Sequence, residues 1–150
     1  LFAKPEQVGE PWGVAGTAVC MGNPHLVIVA PMDDVLTLGP KFQSHPEFAG
    51  GVNVHCVEVA GDQLLRMRTW ERGAGPTLSC GTGMCASVFA MVEQGQVQLP
   101  VRVMTPGGDV IIAATTDGEY TLSGPVERVF VGNVTRPNLA LVAGTETQRG

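Results

Sequence analysis

Alternating apolar and polar positions along most of the chain predict short β-strands. Across residues 64–70, Leu65 and Met67 alternate with two arginines, which is the period of a strand with one buried face. The same period places Glu71 and Arg72, which follow directly, on opposite faces of the sheet. Seven further runs are also predicted as strands: residues 16–20, 25–30, 52–60, 101–105, 110–114, 120–123 and 126–131.

One segment, residues 81–94, lacks a polar face and is predicted to be a buried helix. Ser87 is the only polar residue between positions 84 and 92, and a helix that is apolar on all sides belongs inside a domain. Gly95 follows as the expected C-terminal cap. This helix is therefore expected to be the centre of the core.

A second, shorter helix is predicted within residues 31–46. Asp33 can act as its N-cap, and the pair Gly39-Pro40 is expected to break it. Short strands wrapped around one buried helix predict an α+β fold. Its sheet is expected to be curled and mostly antiparallel, forming a half-barrel around the central helix.

Composition narrows the class of protein. The 150 residues are 44% hydrophobic and 15% charged, which suits one domain, expected over residues 1–134 and followed by a mobile polar tail at 135–150. A net charge of −5 with few, scattered basic residues argues against nucleic acid as a partner. Residues 1–10 show neither the basic region nor the apolar stretch of a signal peptide, and no apolar run comes near the roughly 20 residues that span a bilayer, so no membrane partner is expected. The four cysteines are expected to be reduced thiols of a cytoplasmic protein.

Cys80 is the first candidate for chemistry because it stands directly before the buried helix. A thiol at a helix N-terminus has its anionic form stabilised, so its pKa is expected to fall to roughly 3.5–7.5, which suits a nucleophile or general base. Gly81, Thr82 and Gly83 follow, and the unpaired N–H groups of a helix start favour a carboxylate or phosphate. The alternatives are a buried thiol and a glycine-rich turn without a special role. No metal site is expected, because Cys80 and Cys85 lack zinc-ligand spacing.

Five polar residues accompany this helix start in the sequence. Arg72 can clamp a carboxylate with two parallel hydrogen bonds, and Glu71 can accept from an ammonium group or act as a base. Asn23 is held extended by the proline after it, and His25 can relay protons. Asn53 is the only amide in an apolar strand. The alternatives are solvated surface for the charged pair, a structural histidine and a strand-end cap.

Taken together, these motifs resemble those of the diaminopimelate epimerases, specifically their C-terminal half. The matching segments are Met-Gly-Asn-Pro-His at 21–25, Val-Asn-Val at 52–54, Glu-Arg-Gly-Ala-Gly at 71–75 and Cys-Gly-Thr-Gly from position 80. The resemblance implies a cofactor-free epimerase that inverts one α-carbon of LL-2,6-diaminopimelate to give the meso form, in lysine and cell-wall precursor synthesis. It further implies two cysteines, one removing the α-proton and one returning a proton from the opposite face.

The resemblance also implies a role for each catalytic candidate. Cys80 matches the second of the two family cysteines. The N–H groups of Gly81 and Thr82 would hold the reacting carboxylate and stabilise the charge that develops there. Glu71 would bind the amine and assist Cys80, and His25 would assist the other cysteine.

The distal amino-acid end of the substrate would be fixed by Asn23, Asn53 and Arg72, again by resemblance. The first half of the family, which carries the other cysteine, is absent from these 150 residues. One thiol cannot reach both faces of a carbon. We therefore expect this chain to be one lobe of a two-lobed enzyme, with the N-terminal lobe as its partner, and to be inactive alone.

Three alternatives remain open from the sequence. The same scaffold serves cofactor-free racemases of other amino acids, such as proline or histidine. Two copies of this lobe could form a homodimer that supplies two Cys80 thiols. The isolated lobe could also be a non-catalytic carboxylate-binding module.

Overall fold

A computed structural model of the chain describes residues 6–8 and 14–133. This part contains nine strands, a 3-10 turn at Met32–Asp34 and two α-helices, α1 (Val35–Gln43) and α2 (Gly81–Glu93). The strands are β1 (Glu6–Val8), β2 (Gly16–Cys20), β3 (Pro24–Val29), β4 (Asn53–Gly61), β5 (Leu64–Glu71), β6 (Gly75–Thr77), β7 (Val101–Thr105), β8 (Gly108–Ala114) and β9 (Tyr120–Ser123). The predicted tail at 135–150 lies outside the described residues.

All nine strands belong to one curled sheet in the order β1-β2-β3-β4-β5-β7-β8-β9, with β6 paired to the end of β5. The pairs β3–β4 and β5–β7 are parallel, and the other described pairs are antiparallel. Parallel neighbours need a crossover connection. Helix α1 lies in the first crossover and α2 in the second. The predicted α+β half-barrel around a buried helix is confirmed.

The middle of β3 and the first half of β4 are buried on both faces, whereas β5 is buried on one face only. Alternation along each strand assigns each side chain to one face. On β3, Val27 packs into the core around α2, whereas Leu26 and Ile28 pack into a second core with Phe42 of α1. Odd-numbered side chains of β3, β4 and β5 therefore face α2, and even-numbered ones face α1. This parity also divides the polar residues between the two sides of the sheet.

Helix α2 is buried as its sequence predicts. Met84, Ala86, Val88 and Met91 are among its residues in the larger core. Its one inward polar group, the Ser87 hydroxyl, donates to Met67 Sδ at 3.2 Å. After the helix, Gly95 has φ +68°, and the N–H groups of Gly95 and Gln96 donate to the carbonyls of Val92 and Met91. That pair of bonds forms a Schellman motif, so the predicted glycine cap is confirmed.

Helix α1 corrects two predictions. Asp33 is not the N-cap, because it lies in the preceding 3-10 turn and its carboxylate pairs with Arg68. Nor does the helix break at Gly39-Pro40, since Pro40 lies inside it. The carbonyl of Leu36, which loses its donor at Pro40, belongs to a residue that is 45% exposed and can be solvated. Gly39 packs so closely that a Cβ there would lie 2.4 Å from Trp70 Cγ, and this contact holds the helix on the sheet.

The predicted strand at 126–131 is wrong. The segment has no strand partner in the described part of the chain, and Val126, Val129, Phe130 and Val131 are 82–97% exposed. An apolar run forms a strand only where a neighbour pairs with its backbone. The sequence pattern does not predict β1 or β6, because a strand of three residues is too short to show a period. No helix of residues 14–133 is long and apolar enough to cross a membrane.

Candidate active site at the start of the buried helix

Cys80 is the N-cap residue of α2, with φ −139° and ψ 106°. Its side chain is 8% exposed, and Sγ lies 3.8 Å from the Thr82 hydroxyl. The backbone N–H of Gly83 also acts on the sulfur, although the thiol makes no side-chain cap hydrogen bond to the helix backbone. The thiol is thus held by the first turn of the helix, with a small part of it open to solvent.

The pKa of the Cys80 thiol is raised, contrary to the sequence-based expectation. Burial is the main cause, and the negative charge of Glu71 adds to it. The Gly83 N–H and the Thr82 hydroxyl act in the opposite direction and are outweighed. Removing the sulfur from water penalises its anion more than the helix start stabilises it. Cys80 is therefore a neutral thiol at pH 7 and a potential proton donor.

The first turn of α2 leaves two amides open beside this thiol. Gly81 and Thr82 are exposed, and as the first helical residues their N–H groups have no intrahelical acceptor. A Cβ at Gly81 would have Leu122 Cδ1 at 3.9 Å as its nearest neighbour, so the approach to this turn is unobstructed. Open amides at the positive end of a helix dipole suit a carboxylate ligand.

A buried row of hydrogen bonds leads from the start of β3 to β5. His25 Nε2 lies 2.9 Å from Asn23 Oδ1, and His25 Nδ1 lies 2.8 Å from His55 Nε2. His55 Nδ1 lies 3.0 Å from the Thr69 hydroxyl. Both histidines are on the α2 face of the sheet and are at most 1% exposed. Within this row, the His55 ring lies directly against Gly83, because a Cβ on Gly83 would be 2.2 Å from His55 Cε1.

Burial keeps both imidazoles of this row neutral. It lowers the pKa of His25 to about 4, with the nearby charge of Glu71 acting to raise it and that of Arg72 to lower it. It lowers the pKa of His55 to about 3, and the neighbouring His25 adds to the effect. Neither ring carries a charge at pH 7.

Mild acid is expected to destabilise the fold through these two rings. Unfolded histidine has a pKa near 6.5, so below that pH the unfolded chain binds protons that the folded chain, with values of about 4 and 3, does not. The free energy of unfolding therefore falls as pH falls, by about 2 kcal/mol per ring between pH 7 and 5. Urea denaturation at several pH values measures this slope, and His55→Gln should remove about half of it. A free energy that stays constant between pH 7 and 5 would contradict the prediction.

Glu71 and Arg72 lie on opposite faces of the sheet, as the strand period predicts. Glu71 Oε1 accepts from the Thr77 hydroxyl of β6 at 2.6 Å, and its charge acts on both Cys80 and His25. Arg72 Nη1 donates to the carbonyl of Gly50 at 2.8 Å. Its guanidinium lines a separate cavity of about 540 Å³ beside the end of α1. Glu71 thus belongs to the Cys80 side, and Arg72 to the other.

Asn53 connects the two sides. Its amide donates to the carbonyl of Pro24 at 3.1 Å and accepts from the Arg72 N–H at 2.9 Å. The structure thus brings together Cys80, Gly81, Thr82, Glu71, His25 and Asn23, with Asn53 and Arg72 attached at the edge. Among the described residues, no group of three or more His, Cys, Asp or Glu side chains is arranged to hold a metal ion.

The sequence profile of the family described as diaminopimelate epimerase matches residues 17–129 of this chain. That span covers β2 to β9, including the start of α2 and the histidine row. The chain belongs to the diaminopimelate epimerase family.

Curated relatives in the diaminopimelate epimerase family match over most of this chain. The diaminopimelate epimerase of Desulfitobacterium hafniense is 46% identical over 121 residues, which are 77% of this chain and 42% of that protein. The diaminopimelate epimerase of Cyanothece sp. is 44% identical over 138 residues, or 88% of this chain and 48% of that protein. The chain therefore spans about half the length of the relatives it matches.

Solved structures show the same fold in more distant proteins. A phenazine biosynthesis protein of the PhzF family from Bacillus anthracis matches with a TM-score of 0.50 and 17% identity, covering 79% of this chain and 37% of that one. A hydroxyproline epimerase from Agrobacterium vitis matches with a TM-score of 0.50 and 18% identity, covering 78% of this chain and 43% of that one. At this identity the likeness concerns the fold alone.

The family motifs did not reveal every polar residue at the site. His55, Thr69 and Thr77 join it through side-chain hydrogen bonds, and none of the three is among the candidates drawn from the sequence. One available signal was the alternation along β4, because the odd-numbered His55 lies on the same strand face as Val57, which packs into the core around α2. Cys85, which is not among those candidates either, is half-buried against the larger core.

Proposed function

We propose that this chain is the C-terminal lobe of a cofactor-independent diaminopimelate epimerase and that Cys80 is one of its two acid/base thiols. The observation that supports this most is the pairing of a neutral thiol with the open amides of Gly81 and Thr82 in one helical turn. A thiol can exchange a proton with an α-carbon only if a neighbouring group holds the substrate's carboxylate. These two functions lie within three consecutive residues.

The reaction needs no oxidant or external electron acceptor. A thiolate on one face of the α-carbon takes its proton, and the electron pair of the C–H bond is delocalised into the carboxylate. The amides of Gly81 and Thr82 stabilise that charge, because they are fixed donors at the positive end of α2. The Cys80 thiol then gives its proton to the opposite face and is left as a thiolate. The two sulfurs have then exchanged protonation states. Cys80 must regain a proton from solvent, and the other sulfur must lose one, before a second turnover in the same direction.

The charge of Glu71 supports the donor role of Cys80. Its carboxylate helps to raise the pKa of the thiol and so favours the protonated form. It is anchored through one oxygen by the Thr77 hydroxyl. Its other oxygen can accept from the ammonium group of the amino-acid substrate.

The second thiol must come from another part of the protein. Apolar side chains are exposed at Leu78, at Leu122 and within residues 126–131. A cavity of about 510 Å³ adjoins Ser79 and is also lined by Leu122 and Val126. Exposed apolar groups of this extent mark an interaction surface. Because the relatives are about twice as long as the matched region, we assign this surface to an N-terminal lobe that carries the other cysteine.

Recognition of the second amino-acid centre of diaminopimelate is assigned to the edge of the site. Arg72 follows Glu71 at that edge with its side chain on the opposite face, and its hydrogen bonds to the Gly50 and Gly51 carbonyls use only its Nη1. The remaining guanidinium donors can bind a carboxylate. Asn53 holds the Arg72 backbone, while Asn23 lies next to His25.

Exchange of the α-proton with solvent tests this function. The chain alone and the chain joined to the N-terminal half of the Desulfitobacterium hafniense enzyme are incubated with LL-diaminopimelate in deuterated water. Deuterium gain and formation of the meso isomer are followed by mass spectrometry and chiral chromatography. The joined protein is expected to be active and the single lobe silent. Turnover by the single lobe as a dimer would disprove the two-lobe assignment, and faster exchange of proline, hydroxyproline or histidine would disprove the substrate.

A further inference from the structure

The hydrogen-bond row from Asn23 to Thr69 contains two imidazoles whose proton positions are interdependent. Three bonds link the four side chains, with lengths of 2.9, 2.8 and 3.0 Å. A neutral imidazole has one N–H donor and one bare nitrogen acceptor. Each ring must therefore donate on one side and accept on the other, so all three bonds run in the same direction along the row.

The Asn23 carbonyl sets that direction. Oδ1 can only accept, so His25 donates to it from Nε2. His25 Nδ1 is then bare and accepts from the Nε2–H of His55. His55 Nδ1 is bare in turn and accepts from the Thr69 hydroxyl. Donation runs from the sheet interior towards the site.

We propose that His55 is a positioning residue that holds His25 in its Nε2–H tautomer, with the N–H directed at Asn23 and the substrate side of the site. His25 thereby keeps its one N–H as a donor to the Asn23 carbonyl at the site, and its bare nitrogen faces His55, so it presents no base to the substrate. The catalytic importance of this donor depends on the proposed function, whereas the direction of the row does not.

The packing around His55 explains why the ring can fix its neighbour. His55 is fully buried between β5, which contributes Thr69, and the first turn of α2, where Gly83 leaves room for the ring. The backbone N–H of Gly83 also favours the anionic form of the Cys80 sulfur. One ring therefore contacts the turn that carries the reactive thiol and orients the histidine on β3.

Nitrogen-15 NMR of labelled histidine side chains tests the proposal on the unmodified chain. Imidazole ¹⁵N shifts distinguish Nε2–H from Nδ1–H, and His45→Gln identifies the third histidine. Both His25 and His55 are expected to be Nε2–H at pH 7. An Nδ1–H proton on either ring would overturn the proposal, even if no variant could be prepared.

Two nearly isosteric replacements of His55 provide the matched comparison. In His55→Gln the amide N–H can still donate to His25 Nδ1, so His25 should remain neutral and Nε2–H. In His55→Glu the carboxylate can only accept, so His25 should gain an Nδ1 proton and its pKa should rise by about 2 units. An unchanged tautomer and titration of His25 in His55→Glu would refute a positioning role. These spectra require no substrate, so they are independent of the exchange assay, and the failure of either leaves the other result intact.

Discussion

Replacing Cys80 by alanine is expected to reduce α-proton exchange of LL-diaminopimelate by about three orders of magnitude or more. The protein compared is this chain joined to the N-terminal half of the Desulfitobacterium hafniense enzyme. The substitution removes the proposed proton donor to one face of the α-carbon, and a positioned acid or base contributes about 10²–10⁴-fold. The affinity for substrate is expected to change little, because the amides of Gly81 and Thr82 remain to bind its carboxylate. The comparison is made from initial rates of deuterium incorporation, measured at saturating substrate.

Cys85→Ala is the matched control for this prediction. Cys85 lies on the same helix and loses the same sulfur atom, but it packs against the core instead of facing the amides at the helix start. Its exchange rate is expected to stay within about threefold of the parent enzyme, with a modest loss of stability from the deleted sulfur. If Cys80→Ala kept more than a tenth of the activity, or if Cys85→Ala lost as much, the assignment of the thiol would be wrong.

Gly83→Ala is expected to destabilise the fold by about 2–3 kcal/mol. The new methyl would lie 2.2 Å from His55 Cε1 and within 2.9 Å of both ring nitrogens. The ring cannot move aside without losing its bonds to His25 and Thr69. Overpacking of this kind costs about 1–3 kcal/mol and a broken buried hydrogen bond adds to it, whereas the better helix propensity of alanine returns only about 1 kcal/mol. Chemical denaturation at pH 7 gives the difference directly.

Gly81→Ala, two residues earlier in the same turn, separates the steric effect from helix propensity. The nearest atom to its new Cβ would be Leu122 Cδ1 at 3.9 Å, an ordinary contact. This variant should be as stable as the parent or gain up to about 1 kcal/mol. Equal stabilities for the two alanine variants would mean that the His55 ring does not occupy the space next to Gly83.

Several features could be derived from the sequence because they depend on local periodicity. The alternation along β5 gave its buried face and placed Glu71 and Arg72 on opposite sides. The apolar run of α2 predicted that the helix is buried, and Gly95 predicted where it ends. The motif at 80–83 gave the family resemblance. In each case the determinant is the spacing of a few residues along the chain, which is visible without knowing their neighbours.

Other features depended on neighbours that are distant in the sequence. Helix α1 continues through Pro40 because Gly39 packs on Trp70 and holds the helix on the sheet, while the freed Leu36 carbonyl can be solvated. Residues 126–131 fail to form a strand because no described strand pairs with them. His55 acquires its place only when parallel pairing brings β4 beside β3. Such contacts leave no period in the sequence.

The protonation state of Cys80 shows the division most clearly. The sequence determined that a thiol precedes a buried helix, together with the amides that follow it, and the local effect of a helix start is to lower a thiol's pKa. Only the tertiary structure determined how much water the sulfur loses and that Glu71 lies near it, and these two effects raise the pKa instead. Desolvation and long-range charge depend on how the whole domain packs, so their balance cannot be read from one segment of the chain.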